Sequence, residues 1–242
     1  MKRLIINADD LGYDPAVTRG ILQAMRTGVV TSATLMVNTP FSEAAAEQAR
    51  GLAIGLHLNL ARHPPVSKAI PPSLLSGGAF DEQRAGALPA EAVEQETLAQ
   101  LERLEALLGA PATHVDVHKH LHIHANVLDG LCAAARARDL PVRSITTTMR
   151  EALKARGVRT NDHFVGDAGA TAYWTFDRLA AHAGELEDGI TEWMCHPGYA
   201  PTETKSGYSV QREVELATFV DPRARELLAC AGAELVDFRA LC

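Results

Sequence analysis

Residues 3–15 decide the fold, and their sequence is Arg3-Leu4-Ile5-Ile6-Asn7-Ala8-Asp9-Asp10-Leu11-Gly12-Tyr13-Asp14-Pro15. The first six residues form a short, mostly apolar run of the strand type, which ends at the acidic pair Asp9-Asp10. Asp14 followed by Pro15 is typical of a helix N-cap with proline in the first turn. Apolar residues at helical spacing extend the predicted helix to Met25. The chain therefore opens with a strand followed closely by a helix.

The alternation of strand and helix then repeats along the chain. After the first strand, further strands are predicted at residues 31–37, 53–60, 113–117, 142–145, 190–195 and 234–238. Further helices are predicted at residues 41–50, 91–108, 126–138 and 224–231. Strands that alternate with helices form a mostly parallel sheet. About seven such units favour an α/β fold of the β/α-barrel type, closed or nearly closed, over an open sheet.

Length and loop positions predict a single domain over residues 1–242, since β/α barrels of this size are common. Residues 62–89 hold many of the prolines and several glycines, and they interrupt the alternation as a long insertion loop. Residues 161–173 and 199–209 are also loop-like. Long loops on a regular scaffold usually serve a binding site.

Composition excludes several classes of protein. A net charge of -7 argues against a nucleic-acid partner, because phosphate binding requires clustered Lys and Arg. The sequence has no apolar stretch long enough for a membrane span and no signal-peptide pattern at its start. Its four cysteines, Cys132, Cys195, Cys230 and Cys242, form no C-x-x-C pair and resemble reduced cytosolic thiols. We therefore expect a soluble cytoplasmic protein without nucleic-acid or membrane partners.

The polar residues of interest lie at or just past the carboxyl ends of predicted strands, where β/α barrels build their active sites. Asp9 and Asp10 follow the first strand. One carboxylate of such a pair could bind a metal ion while its neighbour accepts a proton from an attacking water. Adjacent residues of a strand point in opposite directions, so both can face one site only through a strained turn. The alternative is a helix-capping turn, a role for which Asp14 is better placed.

Histidines supply the rest of the candidate site. His57 alternates with Leu56 and Leu58 and therefore points away from them, although an isolated histidine is more often a hydrogen-bonded core residue. Five of the ten histidines are concentrated in one run, at positions 114, 118, 120, 122 and 124. If that run stays extended, residues 116, 118, 120 and 122 share one face. Neutral imidazole is a good ligand for zinc, iron or nickel, but not all of these side chains can bind one ion. The alternative is a basic, solvent-facing loop.

His196 follows the apolar residues Trp193-Met194-Cys195 and precedes Pro197-Gly198, a position suited to a general acid. Its neighbour Cys195 raises the rival possibility of a Cys/His nucleophilic enzyme. Since adjacent strand residues face opposite ways, we expect Cys195 to pack in the core instead.

Four motifs in this order resemble the YdjC-like family, whose members include chitooligosaccharide deacetylases. They are Asn7-Ala8-Asp9-Asp10-Leu11-Gly12, Gly55-Leu56-His57, the run from Thr113 to His122, and Met194-Cys195-His196-Pro197-Gly198. The His-Lys-His run is also similar to a branch associated with hopanoid biosynthesis. The family often has phenylalanine in place of Leu11 and a third histidine in place of Lys119.

The resemblance implies a β/α barrel of the glycoside hydrolase/deacetylase type. It also implies a divalent metal ion held by Asp10, His57 and His118. By analogy with the wider polysaccharide deacetylases, Asp9 would be the general base and His196 the general acid. The ligand set suits zinc, nickel, cobalt or iron on chemical grounds, whereas family members are commonly described with magnesium, so zinc and magnesium both stay open.

The function expected from these features is the metal-dependent removal of an acetyl group from an N-acetylated sugar. The alternatives are a metal-dependent hydrolase or isomerase acting on another bond and a non-catalytic sugar- or metal-binding protein. A non-catalytic binding protein would not need a second carboxylate, Asp9, beside a metal ligand. The partner would be a small carbohydrate, and a homodimer stays open. The roles of His120, His122 and His124 are unassigned, and Trp174, Tyr199 and Tyr208 are the candidates for stacking on sugar.

Overall fold

The structure, a computed structural model, describes residues 1–242. All seven strands belong to one parallel sheet. They are β1 (Lys2–Leu11), β2 (Ser32–Leu35), β3 (Ile54–Leu58), β4 (Val115–Val117), β5 (His163–Val165), β6 (Gly189–Cys195) and β7 (Ala233–Leu235). The order across the sheet is β4-β3-β2-β1-β6-β5, and β7 pairs with the start of β1. This is a parallel half-barrel, so the predicted fold class is confirmed.

Eight helices surround the sheet. They are α1 (Pro15–Thr27), α2 (Ser42–Ala49), α3 (Ala90–Leu108), α4 (Ala125–Ala137), α5 (Thr147–Ala155), α6 (Phe176–Gly184), α7 (Val210–Val220) and α8 (Pro222–Cys230). Asp14 caps α1 as predicted, since its side chain accepts a hydrogen bond from the backbone N–H of Ala16 at 2.8 Å. No helix is both long enough and apolar enough to cross a membrane.

The sheet is interrupted where the sequence predicts a strand at residues 142–145. Only Val142 forms a parallel bridge, to Val115 of β4. Its backbone N–H donates to Arg159, but the next ladder position is taken by a side chain, because the N–H of Ser144 donates to Oδ1 of Asn161. The predicted strand is therefore wrong beyond its first residue. Conversely, β5 lies within residues 161–173, which the sequence analysis treated as a loop.

One core of 55 buried residues fills the space between the sheet and the helices. The insertion at residues 62–89 packs onto this core instead of projecting from it, since Ile70 and Phe80 are buried. The carboxylate of the buried Glu96 on α3 accepts the backbone N–H groups of Val66 and Ser67 at 2.9 and 2.8 Å. The insertion therefore has a defined position beside the carboxyl ends of the strands, which it reaches through Arg62.

Candidate active site

A cavity of about 380 Å³ lies at the carboxyl ends of the strands. It contains all five residues that the sequence analysis proposed, brought together from β1, β3, β6 and the segment after β4. The lining residues are Asp9, Asp10, Tyr13, His57, Arg62, His118, Lys119, His120, Asp167, Ala168, Met194, His196, Lys205, Ser206, Gly207, Tyr208 and Arg212.

Asp9 and Asp10 both reach the cavity because β1 is irregular between them. Asp10 has a φ of 71°, in the left-handed region that non-glycine residues rarely adopt. The pairing of β1 with β2 shifts register between Ala8 and Leu11. This irregularity overrides the alternation of side chains along a strand and provides the strained turn that two adjacent active-site carboxylates require.

Three donor atoms converge at the base of the cavity: Oδ1 of Asp10, Nε2 of His57 and Nδ1 of His118. The carboxylate oxygen is 3.3 Å from the first nitrogen and 3.1 Å from the second, and the two nitrogens are 3.0 Å apart. Ligand atoms about 2.1 Å from one ion, at octahedral or tetrahedral angles, lie about 3.0–3.4 Å from each other. Moreover, Oδ1 of Asp10 is buried and has no hydrogen-bond partner. The three residues therefore fit a divalent metal ion.

A second group, Asp9, His57 and Asp116, also lies within metal-ligand distance. Its oxygens already have partners: Asp116 accepts hydrogen bonds from Nδ1 of His57 at 2.6 Å and from the hydroxyl of Thr34 at 2.9 Å. This arrangement directs Nε2 of His57 towards Asp10, as carboxylates behind metal-binding histidines do. Asp116 thus orients a candidate ligand and is a poorer candidate ligand itself.

The pKa of His57 reflects this surrounding charge. Burial alone would lower it, but the carboxylates of Asp116, Asp10 and Asp9 outweigh burial and raise the pKa to about 10. A cation bound between Asp10, His57 and His118 would compete with that proton, because imidazole binds metals in its neutral form.

Asp9 is held by Arg143, which is fully buried at the interrupted edge of the sheet. Glu192 of β6 accepts from Nε of the same guanidinium at 2.7 Å, and Asp116 lies 2.9 Å from its Nη1. Burial would raise the pKa of Asp9, but the Arg143 charge and hydrogen bonds hold it well below its usual range. Asp9 is therefore ionised at neutral pH.

His196 faces the same cavity from the end of β6. Its backbone N–H donates to Oε2 of Glu215 at 2.6 Å, and its ring lies against the ring of Tyr208 at a centroid distance of 5.4 Å. Nδ1 of His196 is buried without a hydrogen-bond partner. Burial lowers the pKa of this imidazole to about 4, although Asp10 and Asp9 act in the opposite direction.

The histidine run does not stay extended, so the condition under which residues 116, 118, 120 and 122 would share one face fails. His118–Ile123 is a 3₁₀ segment in which Lys119 and His120 have φ values of 56° and 53°. His118 and His120 consequently line the cavity, whereas His122 is fully buried outside it. His114 also lies outside the cavity and stacks on Phe238 at a centroid distance of 3.6 Å.

The aromatic candidates for sugar stacking have three different positions. Trp174 is fully buried and packs on Trp193. Tyr199 is partly exposed, and its hydroxyl donates to Gln23 at a distance from the cavity. Only Tyr208 lines the cavity.

Cys195 does not face the cavity. It is fully buried, its thiol donates to the backbone carbonyl of Asn7 at 3.3 Å, and burial raises its pKa well above the usual value. A buried thiol of this kind is unreactive, which argues against the Cys/His alternative.

Residues 3–230 match the family model described as "YdjC-like protein". The chain belongs to the YdjC-like family. A "Carbohydrate deacetylase" from Geobacillus stearothermophilus is 38% identical over 244 residues, covering 97% of this chain and 96% of the relative. A "Chitooligosaccharide deacetylase" from Yersinia pestis is 34% identical over 249 residues, covering 98% of each. The crystal structure of a "putative cellobiose-phosphate cleavage protein" from Enterococcus faecalis superimposes with a TM-score of 0.89 at 29% identity, covering 100% and 99% of the two chains.

Two arginines of this YdjC-like site were missed by the sequence analysis. Arg143 lies inside the predicted strand 142–145 and not at its end, so the strand-end rule that singled out His57 and His196 passed over it. Arg212 lies in the first turn of α7, a helix that was not predicted, and no sequence signal marks it.

Proposed function

We propose that this YdjC-like chain is a divalent-metal-dependent deacetylase that hydrolyses the acetamide of an N-acetylated sugar or oligosaccharide. The single observation that carries the proposal is the convergence of Asp10, His57 and His118 on one point beside the unligated carboxylate of Asp9. Relatives named as deacetylases of carbohydrates or chitooligosaccharides, similar over nearly the whole chain, support the sugar substrate. We also propose that residues 1–242 act as one deacetylase domain; its cytoplasmic location and possible homodimer remain predictions.

Asp10, His57 and His118 would hold the ion; two imidazoles favour zinc over magnesium on chemical grounds, and the test below includes both. When bound, the ion would polarise the acetamide carbonyl and lower the pKa of the attacking water. Three protein ligands leave coordination positions for these groups, as a catalytic site requires.

Asp9 would accept a proton from the water as the water oxygen attacks the carbonyl carbon. The Arg143 guanidinium keeps this carboxylate ionised and in one orientation, with Asn7 donating a further hydrogen bond to Oδ1 at 2.9 Å. Orientation by Arg143 lowers the basicity of Asp9, so proton transfer depends on a water made more acidic by its surroundings.

His196 would protonate the leaving nitrogen as the carbon–nitrogen bond breaks, giving a free amine and acetate. With a pKa near 4, the imidazole is neutral in the free protein at neutral pH. Negative charge developing on the substrate raises the pKa of a neighbouring imidazole, so His196 would take up the proton that Asp9 removed from the water and pass it to the leaving nitrogen. Its unpaired Nδ1 leaves room for that change.

The test is release of acetate from N,N'-diacetylchitobiose by metal-stripped protein restored with zinc, magnesium, cobalt or nickel. We expect metal-dependent release, which Asp9→Asn lowers by about 10²–10⁴-fold while metal still binds. His57→Ala and His118→Ala should lose metal binding, whereas His163→Ala on β5, outside the cavity, should not. Metal binding through His57 and His118 without acetate release from any N-acetylated sugar would refute the N-deacetylase and direct the search to other acyl substrates.

A further inference from the structure

The side chain of Arg212 links the candidate metal centre to the loop that bounds the cavity. Arg212 lies in the first turn of α7 and is only 2% exposed. Its Nη2 donates to Oδ2 of Asp10 at 2.6 Å, and its Nε donates to the backbone carbonyl of Tyr208 at 3.0 Å. One planar guanidinium therefore connects β1 with the loop at residues 201–209, which we term the rim loop.

The two oxygens of Asp10 have different environments as a result. Oδ2 is occupied by Arg212, whereas Oδ1 faces His57 and His118 and has no hydrogen-bond partner. A carboxylate held in this way can offer only one oxygen to an ion. The same contact keeps Oδ1 aimed at the point where the three donor atoms converge.

The position of Arg212 is unfavourable for a residue with a purely structural role. A cation in the first turn of a helix opposes the helix dipole. In addition, Nη1 is buried without a hydrogen-bond partner, although burial of an unpaired donor of a charged group is costly. The Tyr13 and Tyr208 rings lie 5.5 and 5.7 Å from the guanidinium carbon and confine it further.

The rim loop that Arg212 holds contributes Lys205, Ser206, Gly207 and Tyr208 to the cavity wall. We propose that Arg212 is a positioning residue that restricts Asp10 to one-oxygen metal binding and at the same time places the rim loop against the substrate. The part of the inference that concerns substrate rests on the proposed function, whereas the part that concerns metal binding does not.

The experiment compares Arg212→Lys and Arg212→Gln with the wild-type chain, using metal-stripped protein titrated with zinc. Lysine keeps the charge, but its ammonium group lacks the planar fork with which the guanidinium donates to Asp10 and to the Tyr208 carbonyl at the same time. We expect both variants to bind zinc about 10- to 100-fold more weakly, as loss of a partner behind a metal ligand typically does. The visible absorption bands of the cobalt-loaded variants should also change, because the coordination of Asp10 changes.

Arg223→Lys on α8 is the matched control, because Arg223 is an exposed arginine whose only hydrogen-bonded partner is Asp221. It should leave zinc affinity and the cobalt spectrum unchanged. The KM for N,N'-diacetylchitobiose should rise in both Arg212 variants. If Arg212→Gln does not fold, Arg212→Lys carries the test alone.

Zinc affinity within twofold of wild type in a folded Arg212→Lys protein, with the same cobalt spectrum, would overturn the inference while leaving the deacetylase intact. A third outcome separates the two claims. If the wild-type chain deacetylates no sugar but the Arg212 variants still bind zinc more weakly, the role of Arg212 in the metal centre is upheld and the proposed reaction is refuted.

Discussion

Arg143 forms a two-pronged ion pair with Asp9, in which Nη1 donates to Oδ2 at 2.6 Å and Nη2 donates to Oδ1 at 2.7 Å. Both side chains are buried, and no water is needed to complete the pair. The candidate general base thus owes its orientation and its ionised state to a residue that lies 134 positions away in the sequence.

Replacing Arg143 should affect stability and pH dependence together. Arg143→Met leaves three buried carboxylates without their cation, and we expect a loss of about 3–5 kcal/mol in the free energy of unfolding. Because the pKa of Asp9 is then no longer held down, the acid side of the activity profile should move to higher pH. Urea unfolding and a pH profile measure the two effects. Arg143→Lys, which keeps a charge, should lose less stability, and equal losses in both variants would contradict the role of the ion pair.

The free energy of unfolding should depend on pH through the side chain of Glu215. Burial raises the pKa of this carboxyl from 4.5 to about 7, even though Tyr208, His196 and Trp174 donate hydrogen bonds to it. A raised folded-state pKa contributes stability below pH 4.5 that is lost as the pH rises through about 7. Glu215→Gln should therefore be more stable relative to wild type at pH 8 than at pH 5, by roughly 2 to 3 kcal/mol at about 1.4 kcal/mol per pKa unit.

The measurement is urea unfolding of wild type and Glu215→Gln at the two pH values. Glu226→Gln on α8, an exposed glutamate, is the control and should show the same pH dependence as wild type. A constant difference between wild type and Glu215→Gln across the range would exclude the predicted titration.

Asp14→Asn should loosen the rim loop without removing the helix cap. Oδ1 of Asp14 accepts from Ala16, whereas Oδ2 accepts the backbone N–H groups of Thr202, Glu203 and Thr204 at 3.2, 2.8 and 2.9 Å. Asparagine keeps the capping oxygen but presents an amide N–H₂ to three donors. We expect KM to rise by about tenfold, corresponding to about 1.4 kcal/mol, with a smaller change in kcat.

Hydrogen exchange at the three amides of residues 202–204 reports the loosening directly and should accelerate in Asp14→Asn. Asp221→Asn, which alters the cap of α8 away from the cavity, is the matched control. Unchanged exchange in Asp14→Asn would show that the loop is held by other contacts.

Cys195→Ala should keep its activity within about threefold of wild type, because the thiol is buried and its pKa is raised. A thiol reagent should modify the exposed Cys230 and Cys242 in the folded protein, and Cys132 and Cys195 only after unfolding. A folded Cys195→Ala variant with activity reduced to the level of Asp9→Asn would revive the nucleophilic cysteine.

The parts of the fold that follow from sequence are those with long or regular apolar patterns. The strand that carries His57 is uniformly buried and the strand that carries Asp10 is buried from Leu4 onwards, and their apolar runs made them predictable. By contrast, β5 has only three residues and shows no period. Helix α7 escaped prediction because its buried face includes Arg212 and Glu215, which a hydrophobic pattern assigns to solvent.

The candidate metal ligands were predictable because each lies at or just past the carboxyl end of a strand, and the carboxyl ends of parallel strands meet at one edge. The ion-pair cluster around Arg143 was not predictable, because the position of Arg143 depends on where an irregular segment passes β4. The turn at Lys119 and His120 was likewise unpredictable, since positive φ is uncommon outside glycine and lysine is not a residue type that favours it.

The interruption of the half-barrel means that the metal-ligand side and the Arg143 side of the site are supported by different kinds of backbone structure. Asp10, His57 and His118 project from neighbouring parts of a continuous backbone ladder. Arg143, however, follows the isolated bridge of Val142; its own N–H makes a last backbone bond to Val115, and the buried amide of Asn161 then bonds to Ser144 in place of a further strand. The guanidinium that keeps Asp9 ionised is thus anchored at the point where backbone pairing gives way to side-chain hydrogen bonds, so the acid–base half of the site rests on the least regular part of the barrel.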